Sequence, residues 1–240
     1  VVGYFLIMAC SKKEEPIPEP ASADFAYSSL EFKCVHESDS LPVLDQDADI
    51  LYRYGLYLEK RKGQKDYNEI ARYYRIAAAH DHYKAATNLQ YLLSTGQTHS
   101  PDSSKETIDL AEYYVAKGIP GSYYDMAHYL ELGYGVKQDV AASRAYFRRA
   151  ADLGSPDAQY YIGRLLSYVP NTADIMMAMY KCAMEQGHRL AGRSYSSYTK
   201  VIGKYQEALH GYHAATRNGD DLSAYSLANA FKGPPVSNEL

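Results

Sequence analysis

The sequence contains no tryptophan and only three cysteines in 240 residues. Cys34 and Cys182 stand apart, outside any C-x-x-C or C-x-x-H spacing, so a zinc-stapled domain is disfavoured. Basic residues are not in excess: the formal net charge is -4, which offers no positive field for nucleic acid. No uncharged apolar run approaches the roughly 20 residues that a membrane-spanning helix needs. Period-two alternation of useful length is missing, except around Ser29 to Ser38, which reads as a short strand or an N-terminal cap. What the chain does have is ordinary globular content, 46% hydrophobic and 22% charged, together with 26 tyrosines. Its length allows a full core in one or two domains. Tyrosine joins a large apolar ring to a polar tip, which suits half-buried faces and interfaces.

The first residues, Val1 to Ala9, are apolar and uncharged, and small Ala9 is followed by Cys10 and abrupt polarity. This resembles the end of a bacterial lipoprotein signal peptide, with Ile7-Met8-Ala9-Cys10 as its lipobox and the earlier part of the leader upstream. The resemblance implies lipidation at Cys10 and, with Ser11 next, sorting to the periplasmic side of the outer membrane. Residues 11–28 carry Pro16, Pro18 and Pro20 among charged and small residues and read as an extended tether. Residues 29–46 are expected to form an N-terminal cap segment, and 233–240 a tail. In an oxidising envelope Cys34 and Cys182 either pair or remain two packed thiols, and the sequence leaves both readings open.

A repeat organises the remainder, 47–232. Asp81, Gly118, Gly154, Gly187 and Gly219 each end a predicted helix, at spacings of 37, 36, 33 and 32. Glycine past a helix adopts the left-handed conformation that stops it, whereas Asp81 is a weaker terminator. A small residue follows four later at Ala85, Ser122, Ala158 and Ala191, where two helices approach closely. Apolar stripes such as Ile162, Leu165 and Leu166 recur at helical spacing and read as core. Two helices per unit of this period predict an all-α, right-handed α-solenoid of about five antiparallel hairpins.

The stretch Glu131 to Asp139, ELGYGVKQD, sets glycines one residue apart. A dinucleotide loop needs a preceding strand and a third glycine, and a phosphate loop needs Gly-Lys-Ser/Thr. Here a helix precedes and Asp139 stands at the N-cap of the next helix, so the glycines turn the chain. Ala127 to Gly163 resembles a Sel1-like repeat, a relative of the tetratricopeptide repeat. The matching residues are Gly133, Gly135, Val136, Asp139, Tyr146, Phe147, Ala150, Ala151 and Gly154. Other units match more loosely: Gln90 replaces the glycine equivalent to Gly163, and the turn after Ser167 carries Pro170 instead of glycines.

Catalytic constellations are weak. His80-Asp81-His82 reads as a solvated helix C-terminus, His210 and His213 lack further zinc ligands, and the Ser-rich run Gly192 to Lys200 lacks a nucleophile elbow. No acid, base and oxyanion site assembles, so a non-enzyme without metal or cofactor is expected. A solenoid instead offers a concave face lined by the first helix of each hairpin. The positions expected there are Arg53, Asn88, Tyr91, Asp125, His128, Tyr161, Arg164, Ser194 and Ser197, with Tyr161 and Arg164 not required by the core.

The segments Leu30 to Lys60 and Arg72 to Leu93 resemble a subset of Sel1-like lipoproteins that includes immunity proteins for type VI secretion phospholipase effectors. That resemblance implies a protein partner, a secreted phospholipase, bound stoichiometrically in the periplasm. The other expectation is a general Sel1-like scaffold for envelope or signalling complexes. Cysteine-rich Sel1-like proteins linked to β-lactam binding carry a disulfide per repeat, which this chain cannot.

Overall fold

The structure, a computed structural model, describes residues 31–232. Cys10, the expected tether 11–28 and the expected tail 233–240 lie outside the described residues. Among the described residues there are eleven α-helices and no strand. Successive pairs form hairpins: α1 (Gln46–Lys60) with α2 (Tyr67–Ala79), α3 (Tyr83–Ser94) with α4 (Ser103–Ala116), and α5 (Pro120–Leu132) with α6 (Val140–Asp152). Next come α7 (Pro156–Leu166) with α8 (Ala173–Glu185), α9 (Arg189–Val201) with α10 (Tyr205–Arg217), and a last helix α11 (Asp221–Ala230). Each helix packs on its neighbours in sequence, with lighter contacts between α3 and α5 and between α5 and α7. This is the stacking of an α-solenoid, in which every hairpin buries its apolar side against the next.

The turns between hairpins follow one local rule. Asp81, Gly118, Gly154, Gly187 and Gly219 all have positive φ, from 62° to 102°. In four of the five, the side chain of the next residue then caps the following helix. Ser155 accepts from the Ala158 N–H, Asp220 from Ser223, and the imidazoles of His82 and His188 accept from Ala85 and Ala191. His82 therefore departs from the solvated helix end expected of the His80-Asp81-His82 run. It is fully buried, with Nδ1 capping α3 and Nε2 3.3 Å from Asp49 Oδ1. Asp81 tolerates the left-handed region because Tyr113 Oη and Lys117 Nζ hold its carboxylate at 2.6 and 2.7 Å. Those two partners, Lys117 foremost, keep its carboxyl below the usual range.

Within hairpins the turns vary. Gly133 ends α5 with φ 72°, and Gly135, φ 66°, lies against α4, where a Cβ would come within 2.7 Å of Ile108 Cγ1. Asp139 accepts from the Ala142 N–H at 2.9 Å and starts α6. The turn after α7 has no glycine; Asn171 adopts φ 63° in its place, and Thr172 Oγ1 donates to the Leu166 carbonyl. Asparagine tolerates this region better than other non-glycine residues.

Hairpins close on alanine and glycine. Ala77, Ala85, Ala150, Ala158, Ala183 and Ala191 have no exposed surface. Gly55 and Gly163 receive the rings of Tyr74 and Tyr180, and a Cβ at either glycine would sit 2.8 Å from a ring carbon. The buried tyrosines keep their hydroxyls bonded: Tyr74 donates to Glu59, and Tyr114 to the Ala78 carbonyl at 2.9 Å. This accounts for part of the tyrosine richness, since an aromatic ring fills the notch that a glycine opens while its polar tip reaches a partner.

Residues 31–45 differ from the cap expected at 29–46. They run as a strap across the inter-hairpin turns, with only a short 3-10 turn at Glu37–Asp39. Cys34 is disulfide-bonded to Cys182 at the end of α8, 148 residues away. Further along, the Val35 carbonyl accepts from Gln159 Nε2, and the Glu37 N–H donates to Gln186 Oε1 at 2.7 Å. Ser40 Oγ reaches the Leu153 carbonyl at 3.5 Å, and Leu41 packs with Ala78, Ala86, Tyr114 and Ile119. The strap thus crosses four of the five inter-hairpin turns, from α8/α9 back to α2/α3.

Candidate functional site: the odd-helix face and the notch under the strap

The odd-numbered helices form one face of the solenoid, and the strap lies along the edge where they begin. The positions expected on this face separate into two groups. Arg53, Tyr91, Arg164 and Ser197 are exposed. Arg53 pairs with Asp49 at 2.7 Å, Tyr91 is 56% exposed, and the Arg164 guanidinium lies 6.0 Å from the Tyr160 ring centre. These four offer reach without having to leave a packed environment.

The others are bound into the solenoid to different degrees. Tyr161 is a correction: it does serve packing, because its ring stacks on Phe147 of α6 with centroids 4.1 Å apart. His128 meets the same ring edge-on at 4.8 Å and Tyr124 at 4.7 Å. Glu131 ties them, accepting from Tyr161 Oη at 3.0 Å and lying 3.4 Å from His128 Nδ1. Asn88 is half-buried on α3, beside the rings of Tyr52 and Tyr83 in the wall of one cavity. Ser194 is half-buried on α9. Sequence spacing places such residues on a face but does not say which aromatic from the neighbouring helix will cover them.

Asp125 is the exception within the second group. The residue keeps a partly exposed edge, yet its Oδ2 is buried and has no hydrogen-bond partner. Burial pushes its carboxyl up to about 7, and the nearby carboxylates of Asp157 and Glu37 push in the same direction. Glu37 comes from the strap, and Asp157 from the first turn of α7. The Glu37 carboxylate lies beside Gly121 at the start of α5, a helix whose own N-cap, Ile119, has no side-chain acceptor. Burial foremost, and then Asp157, raise the Glu37 carboxyl, while the nearby Gly121 N–H and Lys84 oppose them.

Glu37 and Asp157 line a cavity of about 550 Å³ whose walls also include Tyr52, Tyr83, Asn88, Gly121 and Glu185, with Leu41 from the strap; Asp125 does not line it. Sequence reasoning placed Asp125 on the face but missed Glu37, Asp157 and Glu185. Nothing local signals them, because Glu37 reaches α5 across more than 80 residues of intervening chain. A larger hollow between α2 and α4, about 670 Å³, is crossed by the Arg75–Glu106 pair at 2.6 Å.

Among the described residues the one cluster of three potential metal donors is Cys34, His36 and Cys182, and the disulfide engages both of its sulfurs. None of the described helices is long and apolar enough to cross a membrane.

The fold is that of a Sel1-like α-solenoid. No family model matches the sequence, and no curated protein matches it significantly. Solved structures do. The chain is similar to the immunity protein PA5088 from Pseudomonas aeruginosa, with 28% identity and a TM-score of 0.68 over 86% of this chain and 77% of that one. It is equally similar to the immunity protein Pa5087 from the same organism, with 28% identity and a TM-score of 0.69, covering 85% and 79%. A Sel1 repeat protein from Oxalobacter formigenes shares the fold, with 22% identity and a TM-score of 0.60 over 81% and 84%.

Proposed function

We propose that this protein is an immunity protein: a non-enzymatic, stoichiometric inhibitor that clasps one secreted effector on its odd-helix face. The observation that carries this reading is the likeness to two immunity proteins along most of both chains. The effector is a phospholipase delivered to the periplasm, and the inhibitor waits there on a lipid anchor at Cys10 of the outer membrane. The Cys34–Cys182 disulfide supports that compartment, since such bonds persist where the surroundings are oxidising. Inhibition requires no chemistry from the solenoid: covering the effector's active site, or its approach to lipid, is sufficient. A complex of this kind buries about 1,600 Å² or more in total.

The test is capture from the source bacterium with the tagged chain, followed by assay of the captured protein. One stoichiometric lipase, silenced by an equimolar amount of the chain, supports the reading. Several substoichiometric envelope proteins and no toxin replace it with a general scaffold. On the odd-helix face, Arg164→Glu and Tyr91→Ala each weaken effector binding by about 1–3 kcal/mol while leaving the melting temperature unchanged. Unchanged affinity in both places the interface elsewhere.

A further inference from the structure

We propose that Cys34, His36, Cys182 and Glu185 form a zinc site when the Cys34–Cys182 disulfide is open, so that the strap stays fastened to α8 in either redox state. The site is independent of the partner and of the face on which it docks.

The donors come as two pairs, one from each side of the seam. Cys34 and His36 stand two apart in the strap, which runs here without helix or turn and is extended at His36, so their side chains leave it on one side. Cys182 and Glu185 stand three apart at the end of α8, on one face of that helix. Ligand atoms of Cys34, His36 and Cys182 all lie within 4.8 Å of one another, the one such group among the described residues. The Glu185 carboxylate is 3.8 Å from His36 Nε2, too far for a hydrogen bond and near the roughly 3.3 Å that two such donors take across one zinc. Its oxygens stand outside the three-atom group, but the side chain is 41% exposed and can turn inward. Neither pair marks zinc in the sequence, because the two halves of the site lie 148 residues apart.

The chemistry fits zinc rather than a harder ion. Two thiolates, an imidazole and a carboxylate are all ligands that zinc takes in tetrahedral sites. The thiolate is the ligand form of cysteine, so the oxidised chain does not bind. A thiol reductant passes two electrons to the Cys34–Cys182 bond, becoming a disulfide itself, and leaves two thiols; zinc then displaces their two protons. Once unbonded, the sulfurs separate to roughly the 3.7 Å that they span across a zinc with bonds of about 2.3 Å. The strap stays in register meanwhile, because the Gln159 and Gln186 side chains hold Val35 and Glu37 at 2.9 and 2.7 Å. Cys34 is exposed and gives the ion a way in, whereas Cys182 is buried, where a thiolate without a cation is costly. Cys182 and Glu185 also stand at the C-terminal, negative end of α8, which favours a cation.

The experiment is a cobalt and zinc titration of the full chain, reduced with a phosphine, stripped of metal with EDTA and exchanged into metal-free buffer without air. One equivalent of cobalt is expected to give the visible bands of a tetrahedral ion together with thiolate-to-metal charge transfer, and zinc is expected to abolish both. The oxidised chain is expected to show neither. His36→Ala and Glu185→Gln leave the disulfide in place, so their folding is checked in the oxidised form before reduction. Each should weaken cobalt binding by about tenfold or more. As a second readout, zinc should raise the urea midpoint of the reduced parent, and EDTA should return it. The inference is overturned if the reduced chain gives no tetrahedral spectrum, if the oxidised chain gives the same one, if either variant binds as the parent does, or if zinc leaves the urea midpoint where it was. Capture of an effector, or its failure, bears on none of these outcomes.

Discussion

Gly154 and Gly219 close turns of the same design, with φ of 102° and 83°, yet their surroundings differ. A Cβ at Gly154 would sit 2.6 Å from the Glu37 nitrogen and the His36 carbonyl carbon of the strap. At Gly219 it would meet nothing within 4 Å. One repeat rule therefore serves two purposes. At the α10/α11 turn glycine only permits the left-handed backbone; at the α6/α7 turn it also clears a path for a segment that ties four turns together. Stability at the α6/α7 turn depends on a segment more than 100 residues away, whereas the α10/α11 turn is held by its own cap and by the nearby pair of Arg193 with Asp220 at 3.2 Å.

The most severe way to break this contrast is to free the strap. Closing a loop of 148 residues is worth about 5 kcal/mol in the chain-entropy account. Reduction, or Cys34→Ser with Cys182→Ser, should lower unfolding stability by most of that amount, read by urea titration with and without reductant. An unchanged midpoint would show that the strap is held by its other contacts. Next in size, Gly154→Val should cost about 3–5 kcal/mol, combining left-handed strain with displacement of the strap, while Gly219→Val costs about 1–2 kcal/mol. Combined with the cysteine replacements, the two valine variants should draw closer together. If they remain apart, the strap backbone is not what Gly154 makes room for.

Asp125→Asn tests the electrostatic side of the strapped region. In the folded chain Asp125 holds its proton up to about 7, against an ordinary 3.8. Between those values the folded state binds more protons than the unfolded one, so stability falls as pH rises through the window and the full penalty is present above it. The asparagine variant should therefore be more stable than the parent by about 2–4 kcal/mol at pH 8, and equal to it near pH 3.5. Denaturant curves at the two pH values check this, and a constant difference would refute it. The groups facing Asp125 are Glu37 and Asp157, so freeing the strap should remove part of the effect. Smaller again, Tyr161→Ala should cost about 2–3 kcal/mol through loss of the stack on Phe147, read as a lower melting temperature of the isolated chain. No shift in melting temperature would return Tyr161 to the free surface.

Much of the fold was legible because it is local. The positive-φ landmarks, the Asp139 cap and the small residues at helix crossings are decided within a few residues, and all five landmarks lie where their spacing placed them. Where glycine was missing, at Asn171, the signal was present but weaker, an asparagine directly after Pro170. His82 misled because a histidine beside a helix end looks the same in sequence whether it finishes one helix or caps the next.

The candidate site was legible only in outline. Period and patterning placed Asp125, Tyr91 and Arg164 on the odd helices. They could not show that Phe147 would take up Tyr161 and His128, since that depends on the approach of α6 to α5 and α7. The sequence by itself determined a solenoid of two-helix units, because turn and stripe signals repeat with a period that admits no other packing. Only the tertiary structure decided that residues 31–45 strap the edge, that Cys34 meets Cys182, and that the carboxylates of Glu37 and Asp157 bear on Asp125. Those partners are far apart in the chain, and no local preference encodes a contact that exists only once the hairpins have stacked.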